Sequence, residues 1–93
     1  MSGEPRRYRR LADVRFRVID GEGVVVKQQS AELLVLNEVG ARILELLDGE
    51  RTTAEVLETL GEEFDAEAAE LEGDLESFLR ELSEAGVLER TTA

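Results

Sequence analysis

The chain has 93 residues, a net charge of −11, and neither cysteine nor histidine. A chain of this length buries one small hydrophobic core, has no disulfide framework or thiolate metal site, and leaves acid–base catalysis at neutral pH to carboxylates, lysine or the single tyrosine. No apolar run approaches the roughly 20 residues of a membrane span and the polar start does not resemble a secretory signal, so we expect a soluble, cytoplasmic protein.

The charge is unevenly distributed along the chain. Residues 1–17 hold six arginines against two acidic residues, a net of +4, whereas the remaining residues hold five basic and twenty acidic side chains, a net of −15. A nucleic-acid-binding domain needs an electropositive face that displaces the counterions of phosphates. We therefore expect the acidic body to repel DNA. The basic start either contacts an anion or is a solvated, flexible tail, as charge runs usually are.

The basic start is also the first division of the chain. We predict that residues 1–12 are mostly disordered or loosely docked, with Tyr8 and Leu11 as the only anchors. Residues 13–89 then form one domain, and residues 90–93 are a tail.

Three strands are predicted in the first part of this domain, at about 14–19, 24–28 and 32–36. The first alternates apolar and charged residues, which directs Val14, Phe16 and Val18 toward the core. Glycines within residues 20–23 mark a turn because they accept positive φ values. Short links between successive strands favour an antiparallel meander.

Three helices are predicted in the second part, at about 38–48, 53–63 and 66–85. Asn37 is placed to cap the first helix and Gly49 to end it. Thr52 and Glu55 have the spacing of a capping box for the second, and Asp65 is the expected cap of the third. The result is an α+β domain whose element order, three strands followed by three helices, is that of a winged helix-turn-helix.

No motif of the sequence indicates catalysis, a metal or a cofactor. The chain lacks a phosphate-binding glycine loop and any Ser–His or Cys–His pair. The acid-rich segments 62–67 and 70–76 lack the glycine-turn spacing of a calcium loop and are better explained as solvated helix faces. We therefore predict that the protein is not an enzyme and needs no cofactor.

A binding function has better support from the predicted fold. The third strand is a plausible sheet edge, because the chain leaves the sheet after it, and an exposed edge accepts an extended peptide as an added strand. The third helix, lined with Leu71, Leu75 and Phe78, is the candidate second wall of a groove. Its acidic residues favour a peptide that carries lysine or arginine. The simpler interpretation of these apolar residues is core packing.

Two segments of the sequence resemble the PqqD family, also described as the RiPP recognition element. They are VLNEVGARILELLDGERTTAEVLETL, residues 35–60, and DLESFLRELSEAGVLE, residues 74–89. The resemblance includes the Leu36–Asn37 junction, the end of the first helix at 46–49 and the closing residues 86–88. It covers about residues 13–89.

The resemblance implies a winged helix-turn-helix that binds the leader part of a ribosomally made precursor peptide. In this family the leader adds to the third strand, lies against the third helix, and is presented to a modifying enzyme, often a radical S-adenosylmethionine enzyme, or to a leader protease. Carried onto this chain, the implied peptide-binding residues are Glu32, Leu33, Leu34, Val35, Leu36, Leu71, Asp74, Leu75 and Phe78.

The alternative function is that of a winged-helix transcription regulator. The element order and the arginine-rich start support it, and the acidic body opposes it. No nucleic acid or membrane is among the partners we expect. An unoccupied strand edge can pair with a second copy of itself, so a monomer and a dimer both stay open.

Overall fold

The computed structural model describes residues 5–91, which form five strands and three helices. The elements, in chain order, are β1 Arg7–Arg10, β2 Val14–Ile19, β3 Glu22–Lys27, β4 Glu32–Leu36, α1 Glu38–Leu46, α2 Thr53–Glu63, α3 Ala68–Glu84 and β5 Leu88–Thr91. Strands β2, β3 and β4 form one antiparallel sheet in that spatial order. The predicted α+β fold, with a three-stranded antiparallel sheet followed by three helices, is confirmed.

The N-terminal segment differs from the prediction. Arg7–Arg10 are not disordered: they form β1, which pairs antiparallel with β5. The Gly49 amide donates to the Tyr8 carbonyl at 2.9 Å, and the Leu11 amide to the Val87 carbonyl at 2.9 Å. The prediction failed because this order comes from pairing across nearly the whole chain, which an arginine-rich local pattern does not reveal. The predicted tail likewise begins inside β5, and residues 1–4 and 92–93 lie outside the described residues.

The core lies between the inner face of the three-stranded sheet and the helices. Val25 supplies the centre of the sheet side, while Ile43 and Leu44 of α1 and Leu60 of α2 are fully buried opposite it. Val18 was expected in this core but is 40% exposed. It lies near the turn end of β2, in an open cleft beside Ala41 and Phe64, so no helix closes over it.

Local capping signals explain how β4 leads directly into α1. The Asn37 side chain accepts a hydrogen bond from the Gly40 amide at 2.8 Å, so the residue after the strand also starts the helix. The capping box of Thr52 and Glu55 is present at the start of α2. Asp65 was expected to cap α3, but the helix begins later, with Glu67 at the cap position and no side-chain cap bond. Within residues 5–91 no helix is long and apolar enough to cross a lipid bilayer.

Candidate functional site

The candidate site is built on β4, an edge strand of the three-stranded sheet. Strand β3 pairs with it on one side, and no other strand of residues 5–91 pairs with it on the opposite side. Leu33 and Val35 project from the strand and are 62% and 63% exposed. The strand contains no proline or lysine that would block further pairing. The edge of β4 is therefore open to an additional strand.

The hydrogen-bond phase of the sheet follows from its first turn. Asp20 and Gly21 have φ values of 51° and 82°, as in the two-residue turn whose flanking residues exchange both of their hydrogen bonds. Bonded and non-bonded pairs alternate from that turn along β2 and β3. The Gln28 amide bonds to the Asp13 carbonyl at 3.0 Å, in phase with this alternation.

This phase determines which backbone groups of β4 face the open edge. The residues of β3 that do not bond to β2 bond to β4, and their register partners are Glu32, Leu34 and Leu36. The N–H and C=O groups of Leu33 and Val35 therefore point away from β3. These four groups are the donors and acceptors that an added strand would engage.

A cleft of about 260 Å³ lies beside the end of β4, between the start of α1 and α3. It is lined by Asn37, Val39, Gly40, Ile43, Asp74, Ser77, Phe78 and Glu81. Gly40 brings the two helices together, because a Cβ atom built on it would lie 3.3 Å from Cε1 of Phe78 and 3.4 Å from Cβ of Leu36. The cleft therefore begins just beyond the end of β4, at Asn37, and runs along the surface of α3.

The structure separates the predicted site residues into three groups. Leu33 and Val35 are exposed on β4, and Asp74 and Phe78 line the cleft. Glu32, Leu34 and Leu36 belong to the same strand but bond to β3, and Leu34 and Leu36 are only partly exposed. Leu71 and Leu75 are each 2% exposed and pack in the core, so their side chains support α3 from behind and are not presented to a ligand.

The sequence prediction also missed residues of α3 that line the cleft. Ser77 and Glu81 share a helix face with Asp74 and Phe78, at spacings of three, four and seven residues. This face lies next to the apolar stripe of α3. The prediction selected the apolar positions, because the helical period of a sequence is set mainly by its buried residues. The polar residues of the 74–77–78–81 spacing were the signal that could have identified the cleft.

The electrostatic character of the cleft is acidic. Asp74 and Glu81 form no salt bridge within residues 5–91, although acids elsewhere do, as in the Arg42–Glu63 pair. Glu32, at the start of β4, accepts a hydrogen bond from Lys27 at 3.1 Å. That bond, followed by one from Ser30, lowers the pKa of the Glu32 carboxyl below its usual value, so this group is ionised at neutral pH.

The outer face of the sheet is a second exposed surface. Leu33 and Val35 project onto it beside their register partners Val26 and Val24. Arg15 of β2 lies next to Val26 in the register, and a shallow cleft of about 320 Å³ runs between the two strands. This face is apolar in the centre and basic along β2.

No group of three or more His, Cys, Asp or Glu side chains in the described part of the chain is arranged to hold a metal ion. The chain contains no histidine or cysteine at all, so nitrogen and sulfur ligands from those side chains are excluded.

Three solved structures share this fold. The structure of TbiB1 in complex with the TbiA(beta) leader peptide matches with a TM-score of 0.80 and 28% identity, over 91% of this chain and 99% of that chain. Lasso peptide synthetase B1 complexed with the leader peptide matches with a TM-score of 0.79 and 24% identity, over 89% and 98%. The heterocyclase TruD shares the fold, with a TM-score of 0.67 and 19% identity, over 94% of this chain and 12% of that chain.

Sequence comparison agrees with the fold. The chain is 29% identical over 79 residues to the PqqA binding protein of Rhodopseudomonas palustris (strain HaA2). The aligned residues make up 85% of this chain and 76% of that protein. The family described as coenzyme PQQ synthesis protein D matches residues 22–88, and thereby confirms the resemblance inferred from the sequence. The chain belongs to the PqqD family.

Proposed function

We propose that this chain binds the leader segment of a ribosomally made precursor peptide and delivers it to a modifying enzyme or a leader protease. The observation that carries the proposal is the open edge of β4, with the backbone groups of Leu33 and Val35 directed outward beside the α3 cleft. The relatives support it, because two of the solved structures contain leader peptides and the curated relative is a PqqA binding protein.

The physical basis of binding is strand addition. A peptide strand beside β4 forms main-chain hydrogen bonds that supply affinity, while its side chains meet the surfaces on either side of the sheet. On the inner side they reach the cleft, where Phe78 offers an apolar contact and Asp74 and Glu81 favour a lysine or arginine. The peptide-binding residues we propose are therefore Leu33, Val35, Asp74 and Phe78, to which Ser77 and Glu81 are added.

Delivery requires a surface for the enzyme that the bound peptide does not cover. The outer face of the sheet meets this requirement, because it is apolar at Val24, Val26 and Val35 and no described element packs over it. Alternate side chains of an added strand would extend the same face. A radical S-adenosylmethionine enzyme and a leader protease are the two candidate recipients. The chain itself performs no chemistry in this proposal.

DNA binding is disfavoured because arginines of the N-terminal segment form ion pairs and hydrogen bonds within the protein. The Arg9 and Arg6 side chains are paired with Glu89 and Glu76, and Arg7 donates to the Glu50 carbonyl at 2.9 Å. These arginines are engaged within the protein and lie on an acidic body. A salt-sensitive gel shift on promoter DNA, in the absence of any peptide binding, would favour the alternative function.

The direct test is a titration with a fluorescein-labelled synthetic leader peptide. The genomic neighbourhood of this chain is first searched for short precursor genes, the leader segment of each is synthesised and labelled, and binding is followed by fluorescence anisotropy. We expect micromolar or tighter binding. Circular dichroism shows whether the protein is folded in the same buffer. A folded protein that leaves the anisotropy of the peptide unchanged would refute the proposal.

A further inference from the structure

Lys27, the last residue of β3, links the two walls of the proposed groove. Its side chain is only 18% exposed. The ammonium group donates to the Ala85 carbonyl at 2.5 Å and to the Glu32 carboxylate at 3.1 Å. Ala85 is the C-cap of α3, and Glu32 is the first residue of β4. One cation therefore touches both the helix wall and the strand wall.

The Lys27 contact and the α3 cleft lie at opposite ends of β4. Near the end of β4, the walls meet through Gly40, which lies against Phe78 and Leu36. Near the start of β4, the hydrogen bond from Lys27 to Ala85 is the one that joins the three-stranded sheet to α3 within residues 5–91. The two contacts fix the spacing of strand and helix at opposite ends.

The chemistry of the Lys27 contact makes it sensitive to charge. The last carbonyls of a helix have no partner within the helix and carry partial negative charge, which a cation stabilises. The Glu32 carboxylate adds a formal negative charge on the other side. A neutral side chain of the same length would fill the space, but it would leave the Ala85 carbonyl and the carboxylate without their shared donor.

We propose that Lys27 is a positioning residue for leader binding, which sets the distance between β4 and α3 without touching the peptide. This proposal rests on the proposed function, because it concerns the same groove. It extends that function by assigning a role to a charge that lies outside the strand edge and outside the α3 cleft.

The experiment exploits the absence of cysteine from the chain. In Lys27→Cys, the thiol is the single site for alkylation. Treatment with 2-bromoethylamine restores an ammonium group at nearly the length of lysine, and treatment with 1-iodopropane gives a neutral alkyl side chain of the same length that has no hydrogen-bond donor. The probe is the fluorescein-labelled leader peptide used above. We expect the neutral adduct to bind about 10-fold more weakly than wild type and the aminoethyl adduct to recover most of the affinity.

Two controls separate positioning from general stability. Arg42→Met removes the Arg42–Glu63 ion pair that joins α1 to α2, together with the Arg42–Glu45 pair within α1, and should leave the dissociation constant within about twofold of wild type. Backbone amide shifts of the peptide-free neutral adduct should change in β4 and at the end of α3 while α2 keeps its wild-type shifts. Should the neutral adduct fail to fold, the comparison passes to Lys27→Gln, whose amide retains one donor group.

The outcomes separate this proposal from the function on which it rests. If the wild-type protein is folded and does not bind the leader, the proposed function fails and the role of Lys27 fails with it. If wild type binds and the neutral adduct binds equally well, the role of Lys27 alone is overturned. Loss of affinity in both adducts would also overturn it, because the ammonium group would then not be the cause.

Discussion

Replacing Val35 with proline tests strand addition directly. The Val35 N–H points away from β3 and toward the open edge. Proline removes this donor and places its ring where an added strand would approach. Because the lost N–H does not belong to the β3–β4 ladder, an edge position of this kind tolerates proline. We expect Val35→Pro to fold and to bind the leader weakly.

The magnitude follows from one lost ladder bond. A hydrogen bond of this kind contributes about 0.5–1.5 kcal/mol net, and the peptide carbonyl left without a partner costs a further 1–3 kcal/mol when it is buried. The edge of β4 is partly solvated, so a total of about 1.4–2.8 kcal/mol is reasonable. This corresponds to a dissociation constant that rises about 10- to 100-fold.

The assay is fluorescence anisotropy with the labelled leader, and the sheet supplies a matched control. Val18 lies on β2, the opposite edge of the same sheet, and its N–H also points outward. Val18→Pro therefore places the same substitution on the other open edge and should bind the leader as wild type does. Val35→Ala keeps the N–H and separates the loss of the side chain from the loss of the donor.

Two results would refute the reasoning. Unchanged affinity of folded Val35→Pro would exclude strand addition at β4. A larger loss in Val18→Pro than in Val35→Pro would move the peptide to the opposite edge of the sheet.

Three further predictions concern charge, core packing and pH. Replacing both Asp74 and Glu81 with the corresponding amides should weaken binding of a lysine-containing leader several-fold and flatten its dependence on salt; equal salt dependence in the two proteins would contradict an acidic cleft. Leu75→Ala should lower the free energy of unfolding by about 2–5 kcal/mol in urea titrations, because the side chain is buried, and a loss below about 1 kcal/mol would contradict that placement. Hydrogen bonds from the amides of Arg51 and Glu50 lower the pKa of Asp48, so its stabilising effect is present above the unfolded value of about 3.9 and is lost as the pH falls through the lower folded value. Asp48→Ala should therefore be less stable than wild type at pH 7 and no longer so near pH 2, where a difference as large as at pH 7 would contradict this linkage.

The parts of the fold that were predicted depend on signals close together in the sequence. Asn37 lies three residues before the amide that it caps, and Thr52 lies three residues before Glu55. Neighbouring strands joined by short turns have few alternative pairings. Such features are encoded within a few residues, so the sheet and the three helices could be located from the pattern alone.

The parts that were missed depend on residues that are distant in sequence. Pairing of Tyr8 with Arg90 brings together opposite ends of the chain, and no local pattern indicates it. The exposure of Val18 depends on where α1 and α2 end. The alternation along β2 predicts which side of the sheet a residue faces, but it does not predict how far the helices cover that side. Leu75 was assigned to the binding surface because an apolar helical stripe does not reveal whether it faces a groove or the core.

The pairing of β1 with β5 places the two ends of the domain side by side, with Arg7 opposite Thr91. A folded unit with adjacent ends can be inserted into a loop of a larger protein without stretching its own chain. The open edge of β4 belongs to the other sheet, so such an insertion would leave it accessible. The same geometry suits circular permutation: a short linker between the present ends, with new ends in the connection 28–31, would preserve every strand and helix of the fold. Either rearrangement would allow the domain, with its proposed peptide-binding edge intact, to be fused to an enzyme of choice.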